Sequence, residues 1–203
     1  MRGTIVKLGG SLLGSADLDA WLSTFLDWGA PAVIVPGGGA FADRVRDAQR
    51  TFGFDDATAH HMALLAMEQV AVLLASRFCE LALAASLDEL VDARARGRTS
   101  VWLPSAMVLA APDVPASWEV TSDSLAAWLA EALGATRLLI VKSRDVAGPV
   151  TSHILAEAGI VDPLFPCFAA KTAAEVFVAG PADLEGAGEV LRGGGMPGAP
   201  VRM

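Results

Sequence analysis

Three apolar runs, residues 4–8, 31–35 and 137–141, most constrain the fold because aliphatic and β-branched side chains fill them almost continuously. Runs of this kind are typical of strands buried on both faces of a parallel sheet. A segment with apolar residues at helical spacing, residues 16–28, separates the first two runs. Strand, helix and strand in this order predict a right-handed parallel crossover unit. The same alternation continues along the chain, so the sequence predicts an α/β fold.

The first run carries Lys7 and stops at Gly9, Gly10 and Ser11. Glycines at a strand end allow the backbone to approach a bulky group, and their N–H groups can face an anion. Together with a fixed ammonium group and a hydroxyl, they suit a phosphoryl group in transfer. The same residues are also compatible with a lysine that extends into water beside glycines that only turn the chain. The stretches that follow favour the phosphoryl interpretation.

The second run is followed by three glycines at positions 37–39 and by a predicted helix over residues 40–50. The N-terminus of such a helix can bind an anion. The spacing of the glycines also fits a dinucleotide-binding fingerprint, which requires an acidic residue at the end of the next strand. Asp55 and Asp56 lie near the required distance, but no strand precedes them. We therefore interpret the glycines as a phosphate or substrate loop.

Two later segments place polar groups at the ends of predicted elements. Ser122 and Asp123 precede a predicted apolar helix, residues 125–133, and this composition is typical of helix N-caps. Capping alone would explain both residues, although capping and catalysis do not exclude each other. The third apolar run ends at Lys142, which again places a lysine at the carboxyl end of a strand, where ligands gather in open α/β sheets.

The histidines give no metal-binding pattern. His60 and His61 lie beside Asp55 and Asp56 at the start of a predicted helix, and His153 is remote in sequence. Their spacing matches no metal-ligand motif, so we predict no metal site built from side chains. Because the first two histidines lie near the substrate loop in sequence, one of them is a candidate for a hydrogen bond to a ligand.

The charge of the chain excludes a general anion-binding surface. Fifteen basic and 23 acidic residues give a net charge of −8, and no basic run provides a local exception. This balance argues against a nucleic-acid-binding protein. An anionic substrate must then be bound by a few well-placed lysines and arginines.

No membrane or export signal is expected. The most apolar segment, residues 62–87, is interrupted by Glu68, Gln69, Arg77 and Glu80, so we expect a buried helix there. The N-terminus begins a strand almost at once and shows no signal peptide. Cys79 and Cys167 are far apart and in no metal spacing, and we expect reduced core thiols in a cytoplasmic protein.

Four stretches in order carry a family resemblance: residues 7–11, 36–39, 121–127 and 139–143, the last followed by Asp145 and Gly148. With these stretches the chain resembles the amino acid kinase superfamily over essentially its whole length. The resemblance implies a three-layer α/β/α sandwich with a mostly parallel central sheet. It also implies a single domain in which a lobe of about residues 1–115 binds the acceptor and a lobe of about residues 116–203 binds ATP, with Mg²⁺ as the metal cofactor and a homo-oligomer as the assembly.

The resemblance assigns roles to individual residues. Lys7 matches the lysine that stabilises the transferred phosphoryl group, and Asp123 matches the aspartate that orients the catalytic lysines. A late Gly-Met-x-x-Lys motif is not evident, so Lys142 or Lys171 is expected to supply the second catalytic lysine, although Lys171 could equally be a surface residue. The remaining candidates are Gly9, Gly10, Ser11, Gly37, Gly38, Gly39, Arg44, Arg46, His60 and His61 for the acceptor, and Ser122, Ser143, Asp145 and Gly148 for ATP.

Within the superfamily, residues 37–46, 60–62 and 117–124 are most similar to a branch that phosphorylates aminomethylfuranmethyl phosphate in methanofuran biosynthesis. That acceptor is a phosphate monoester, so Arg44 or Arg46 is expected to bind its phosphate, unless both lie on a solvated helix face. We therefore predict an ATP-dependent kinase for a small phosphate monoester. The alternatives are a uridylate kinase and a catalytically silent nucleotide-binding regulatory protein.

Overall fold

The computed structural model describes residues 3–146, 148 and 150–203 of the chain. Strands and helices alternate along most of its length, as the apolar runs predict. The strands are β1 Thr4–Leu8, β2 Ala32–Pro36, β3 Ala82–Ala84, β4 Ser100–Trp102, β5 Arg137–Val141, β6 Val150–Thr151, β7 Glu175–Ala179 and β8 Ala199–Arg202. The α-helices are α1 Ala16–Asp27, α2 Gly39–Phe52, α3 Asp56–Arg77, α4 Leu87–Ala95, α5 Ser105–Leu109, α6 Ser122–Ala132, α7 Ser152–Glu157, α8 Phe165–Ala169 and α9 Ala187–Arg192.

The eight strands form one sheet in the order β3-β4-β2-β1-β5-β7-β8-β6. All neighbouring pairs are parallel except β7 and β8. The first predicted run, β1, lies between the other two, with Lys7 opposite Val35 of β2 and Ile140 of β5. The predicted α/β fold with a mostly parallel sheet is confirmed.

Successive side chains of a strand point to opposite faces of the sheet, and both faces are covered. Ile5 of β1 belongs to a core with Leu125 and Leu129 of α6, whereas Val6 belongs to a second core with Trp21 of α1. Helices therefore cover the sheet on both sides, which confirms the three-layer sandwich. Lys7 has the same parity as Ile5, so its side chain projects toward the layer that contains α6.

Three of the short strands, β3, β6 and β8, were not predicted from the sequence, whereas residues 100–104 were expected to form the short strand that the structure has as β4. Residues 82–84 were expected to continue a helix, but they form β3, which pairs with β4. The glycine-rich C-terminal tail ends in β8, antiparallel to β7. Ala82 and Leu83 are good helix formers, and pairing with a neighbouring strand overrides their local preference.

The helix α3 is the one helix in the described part of the chain that is long and apolar enough to cross a membrane by length and composition, and 44% of its most apolar window is buried. Its residues Leu64 and Met67 contribute to one core, and Val70 and Leu74 contribute to the other. The expectation of a buried helix over residues 62–87 is met only in part, because α3 packs in both cores but ends at Arg77, and its Val72 and Leu73 are exposed.

Two further expectations concern cysteines and lobes. Both Cys79 and Cys167 are free and exposed, so the expected core position of these thiols is wrong. The sheet continues through both proposed lobes, because β1 of the first pairs directly with β5 of the second. A division near residue 115 stays a prediction.

The glycine turns after β1 and β2 lie in direct contact. A Cβ atom added to Gly10 would lie 2.5 Å from the backbone nitrogen of Gly39 and 2.8 Å from its Cα. A Cβ at Gly37 would in turn collide with the backbone of Gly10, and the Gly37 N–H donates to the Leu8 carbonyl at 2.8 Å. Only residues without a side chain allow two strand ends to approach this closely.

We predict that Gly10→Ala lowers the free energy of unfolding by about 1–3 kcal/mol, the usual cost of overpacking, because the new methyl group separates the two turns. Denaturant unfolding measures the change. Gly188→Ala is the control, since its Cβ would meet only the flexible end of Arg192 at 3.3 Å, and it should leave stability unchanged or slightly raised. Equal stability of Gly10→Ala and the parent protein would contradict the close contact.

Candidate active site

A buried carboxylate between two lysines forms the centre of the site. The Nζ atom of Lys7 lies 2.8 Å from Oδ1 of Asp123. The Nζ atom of Lys142 donates to both carboxylate oxygens of Asp123, at 2.9 and 2.8 Å. Lys7 and Asp123 are only 3% and 4% exposed, so this cluster is inside the protein. Each of the three residues predicted to be catalytic is therefore in direct contact with another.

The strand register explains why these residues meet. Lys7 lies opposite Ile140 in the parallel pair β1–β5, and Lys142 follows Ile140 by two positions, which returns the chain to the same face of the sheet. Helix α6 covers this face. Its first turn, which contains Asp123, therefore lies above two neighbouring strand ends that each carry a lysine.

The electrostatics of the cluster keep Asp123 ionised. Burial alone would raise the pKa of Asp123, but the charges of Lys7 and Lys142 outweigh burial and hold this pKa below its ordinary value. Burial, followed by repulsion from Lys7, lowers the pKa of Lys142 to about 8, despite the attraction of Asp123. A lysine with this pKa can lose its proton in mildly alkaline solution.

The structure corrects the interpretation of Ser122 and Asp123 as helix caps. Thr121 is the N-cap residue of α6, and its side chain makes no capping bond. The carboxylate of Asp162 instead accepts hydrogen bonds from the backbone N–H groups of Thr121, at 2.9 Å, and Ser124, at 3.0 Å. Asp123 lies one residue into the helix and is free to hold the lysines. Sequence reasoning missed Asp162, for which an isolated acid in an apolar stretch before a proline was the available signal.

A cavity of about 440 Å³ opens beside this cluster. Its wall combines the glycine turns with apolar side chains such as Leu64, Met67 and Val120. The predicted site residues that line it are Lys7, Gly10, Ser11, Gly37, Gly38, Gly39, Arg46, His60 and Ser122. Gly9 lies behind them, where its N–H donates to the Val141 carbonyl at 3.1 Å.

Of the two candidate arginines, only Arg46 lines the cavity. Its guanidinium group stacks on the ring of Trp118, 4.1 Å from the ring centroid, and contacts Asp43 at 3.1 Å. Arg44 is outside the cavity, where its side chain is 85% exposed and pairs with Asp47. Trp118 also lines the cavity, and it was not identified as a site residue from the sequence.

The histidines divide in the same way. His60 is 8% exposed and lines the cavity, whereas His61 is exposed on α3 and does not line it. Burial lowers the pKa of His60, despite a hydrogen bond to the backbone of Ser117, so His60 is neutral at pH 7. Asp55 is the N-cap of α3 and accepts from the Thr58 N–H at 2.8 Å. Helix capping therefore explains this residue, and a dinucleotide-binding role is not needed.

Three of the residues proposed to bind ATP, Ser143, Asp145 and Gly148, follow β5 and lie outside the cavity. The fourth, Ser122, begins α6 and lines the cavity. Ser143 Oγ lies 2.8 Å from Ser11 Oγ, which links the turns after β1 and β5. Asp145 accepts from the Ala182 N–H at 2.8 Å. Gly148 adopts a φ of +70°, a conformation that favours glycine. Lys171 lies on the surface with its ammonium over the ring of Phe168, away from Asp123.

Two lysines at parallel strand ends share one carboxylate, and one of them, Lys7, lines a cavity together with a helix N-terminus and glycine turns. This arrangement is typical of a protein of the phosphoryl-transfer class. The model of the amino acid kinase family matches residues 2–153. The chain belongs to the amino acid kinase family.

A curated relative is the (5-(aminomethyl)furan-3-yl)methyl phosphate kinase of Methanocaldococcus jannaschii, which is 29% identical over 146 residues. The match covers 70% of this chain and 66% of that relative, so it spans just under two thirds of the relative's length. The predicted enzyme class, a phosphotransferase, agrees with this relative.

Solved structures confirm the fold. Uridylate kinase from Archaeoglobus fulgidus has a TM-score of 0.74 and 18% identity, with both chains covered completely. UMP kinase from Bacillus anthracis has a TM-score of 0.73 and 14% identity, covering 99% of this chain and 96% of that one.

We predict that Asp123→Asn destabilises the protein, because it leaves two buried ammonium groups without a counter-charge. Removing one partner of a buried ion pair costs about 3 kcal/mol or more. The exposed Asp47, which also contacts two arginines, is the matched control, and Asp47→Asn should cost less than about 1 kcal/mol.

The deficit of Asp123→Asn should depend on pH. Without Asp123 the pKa of Lys142 falls below about 8 while the unfolded value stays near 10.5, so the unfolded state binds more protons between these limits. The unfolding free energy of the parent protein also rises with pH above about 8, but that of the variant begins to rise at lower pH, so the deficit shrinks from pH 7 to pH 9. Urea unfolding at both pH values tests this, and a deficit that does not change with pH would contradict the prediction.

Proposed function

We propose that this protein is an ATP-dependent kinase that transfers the γ-phosphoryl group to a small phosphate monoester, with aminomethylfuranmethyl phosphate as the acceptor. The observation that supports it most directly is the Lys7–Asp123–Lys142 cluster beside a cavity that holds a further cation, Arg46. In the proposed reaction an oxygen of the acceptor phosphate attacks the γ-phosphorus of ATP. The bond from that phosphorus to the β-phosphate oxygen breaks, which yields ADP and a diphosphate.

The residues of the cluster suit the charge changes of this reaction. Two ammonium groups can neutralise negative charge on the transferred group, and Asp123 fixes both of them in place. The attacking group is already an anionic phosphate oxygen, so no general base is required. The glycine turns allow backbone N–H groups to approach the phosphates. Catalysis then consists mainly of positioning and charge neutralisation.

The rim of the cavity suits an acceptor that carries a negatively charged phosphate and a positively charged amine. Arg46 provides a guanidinium group for a phosphate, and the adjacent Asp43 provides a carboxylate for an amine. The apolar wall between them fits a small ring. The relative from Methanocaldococcus jannaschii supports a furan phosphate as the specific acceptor.

The residues of the site are compatible with Mg²⁺ that is held mainly by the nucleotide. In the described part of the chain, no three His, Cys, Asp or Glu residues form a cluster that could hold a metal ion, and Asp123 is bonded to both lysines. Mg²⁺ in phosphoryl-transfer enzymes binds substrate phosphates together with few protein groups. When bound, the ion would supply further charge neutralisation at the phosphates.

The experiment that tests the proposal is a panel of phosphate monoesters supplied with ATP and Mg²⁺, with ADP release as the measurement. We expect turnover with aminomethylfuranmethyl phosphate and little or none with UMP. Lys7→Ala should reduce kcat about a hundred- to a thousand-fold, as expected for the loss of one preorganised charge contact. Preference for UMP would instead favour a uridylate kinase, and absence of turnover with every acceptor would favour a silent nucleotide-binding protein.

We predict that Arg46→Ala raises the KM for the phosphate acceptor roughly tenfold or more, because a charge-assisted contact to the phosphate is lost. Arg44→Ala is the matched control on the same helix, and it should leave KM unchanged within about twofold because Arg44 faces solvent. The two steady-state measurements decide between the arginines. A larger effect for Arg44→Ala would exclude Arg46 as the phosphate ligand.

We also predict that kcat/KM falls above a pH of about 8, since Lys142 then loses its proton and with it the positive charge required for transfer. In Lys142→Arg the decline near pH 8 should disappear, because a guanidinium keeps its proton in this range. A pH profile of both proteins between pH 6 and 10 tests the prediction. An unchanged decline in Lys142→Arg would assign it to another group.

The proposed reaction uses ATP, so we place it in the cytoplasm. We also propose that the protein assembles as a homo-oligomer, which sedimentation at micromolar concentration tests.

A further inference from the structure

The carboxylate of Asp162 is buried and bound entirely by neutral groups. Its Oδ2 atom accepts from the Thr121 N–H at 2.9 Å, the Thr121 hydroxyl at 2.8 Å and the Ser124 N–H at 3.0 Å. Its Oδ1 atom accepts from the Ser124 hydroxyl. No lysine or arginine forms a salt bridge with it in the residues that the structure describes, and the residue is 7% exposed.

Through these contacts Asp162 holds the catalytic turn, the first turn of α6 that carries Asp123, from both sides. Thr121 and Ser124 flank Asp123, so one carboxylate holds both sides of the short segment that presents Asp123 to the lysines. The side chain of Thr121, the N-cap residue of α6, makes no capping bond. The Asp162 carboxylate takes its place and accepts from the Ser124 N–H. It therefore joins the start of α6 to the segment that carries Asp162.

Asp162 is itself held firmly by its backbone. Its carbonyl accepts from the Phe165 N–H at 3.1 Å, and the next residue, Pro163, restricts its backbone to extended conformations. The Leu164 N–H donates to the Glu119 carbonyl at 3.2 Å, which joins the same segment to the chain just before α6. The carboxylate thus has little freedom to move relative to the catalytic turn.

Capping alone does not account for an ionisable group at this position. Burial, followed by repulsion from Asp123, raises the pKa of Asp162, so a carboxylate here has an electrostatic cost. Serine and asparagine cap helices about as well as aspartate and carry no charge. A carboxylate differs from them because it accepts four bonds at once, and bonds to a charged acceptor are shorter and stronger.

From this geometry we propose that Asp162 is a positioning residue for phosphoryl transfer, which holds the first turn of α6 so that Asp123 keeps both lysines in their reactive arrangement. The inference rests on the proposed kinase function. It predicts that the chemical step, rather than substrate binding, depends on this carboxylate, which forms hydrogen bonds with Thr121 and Ser124 on either side of Asp123.

The test is Asp162→Asn, whose amide has one oxygen and cannot accept all four bonds. We expect kcat to fall at least tenfold while the KM values for ATP and acceptor change less than threefold. Val161→Ala is the matched control, since Val161 is the adjacent buried core residue and contributes no hydrogen bond to α6 through its side chain. It should lower the melting temperature but leave kcat within twofold.

Equal kcat loss in Asp162→Asn and Val161→Ala, at matched melting temperatures, would overturn the proposal, because only stability would then matter. If Asp162→Asn does not fold, Ser124→Ala decides, since it removes one of the four bonds and keeps the carboxylate. A kcat reduced threefold or more supports the proposal, and the parent kcat overturns it.

A readout without turnover separates this inference from the proposed function. The Lys142 ammonium faces Asp123 and Lys7, and Asp123 is the group that keeps its pKa from falling further. If the first turn of α6 shifts in Asp162→Asn or Ser124→Ala, Asp123 retreats and the lysine titrates at lower pH, which NMR of the ligand-free protein detects. An unshifted titration overturns the positioning role, whereas a parent protein inactive on every acceptor overturns only the kinase proposal.

Discussion

The pairing of one buried carboxylate with two buried ammonium groups is the interaction on which the arrangement of this site depends. Removing charges from water costs several kcal/mol for each ion, and the cost is offset only where geometry is good and partners are close. Asp123 meets this condition, since it contacts Lys7 and Lys142 within 3 Å. The two lysines repel each other, so the carboxylate is what allows them to lie at adjacent strand ends. The cluster can hold positive charge ready for an anion without a large basic surface.

The rest of the fold brings these three groups together and keeps them apart from water. The parallel register of β1 and β5 aligns the two lysines, and α6 covers them. The glycine turns that touch at Gly10 and Gly39 line the cavity beside the cluster. With a net charge of −8, the protein has no general attraction for phosphates, and Lys7 and Arg46 supply local positive charge at this cavity.

The second lysine of the cluster comes from a strand that neighbours β1. The sequence left Lys142 and Lys171 as alternatives, and the structure places Lys142 on Asp123 and Lys171 on the surface. Two lysines on neighbouring strands reach the same carboxylate with no contribution from the C-terminal segment. The C-terminal residues instead complete the sheet, through β8.

The sequence by itself determined the features that depend on local chemistry. Apolar runs of five residues predict buried parallel strands, and glycines after Leu8 and Pro36 predict turns whose backbone can approach a bulky group. The catalytic role expected for Asp123 came from the family resemblance, because its local pattern indicates a helix cap. Lys7 and Lys142 were singled out from residue type and from their places at the ends of predicted strands. These signals lie within a few neighbouring residues, so no knowledge of distant partners is required.

Only the tertiary structure decided which of several equivalent side chains enter the site. Arg44 and Arg46 lie two residues apart on α2, and helix geometry turns one toward Trp118 and the other toward solvent. The first residues of α6 were expected to cap the helix, but Asp162, 38 residues beyond Ser124, accepts the N-terminal N–H bonds instead. The short strand β3 formed because β4 supplied backbone partners. Each outcome depends on contacts between segments far apart in the chain, which local sequence patterns do not contain.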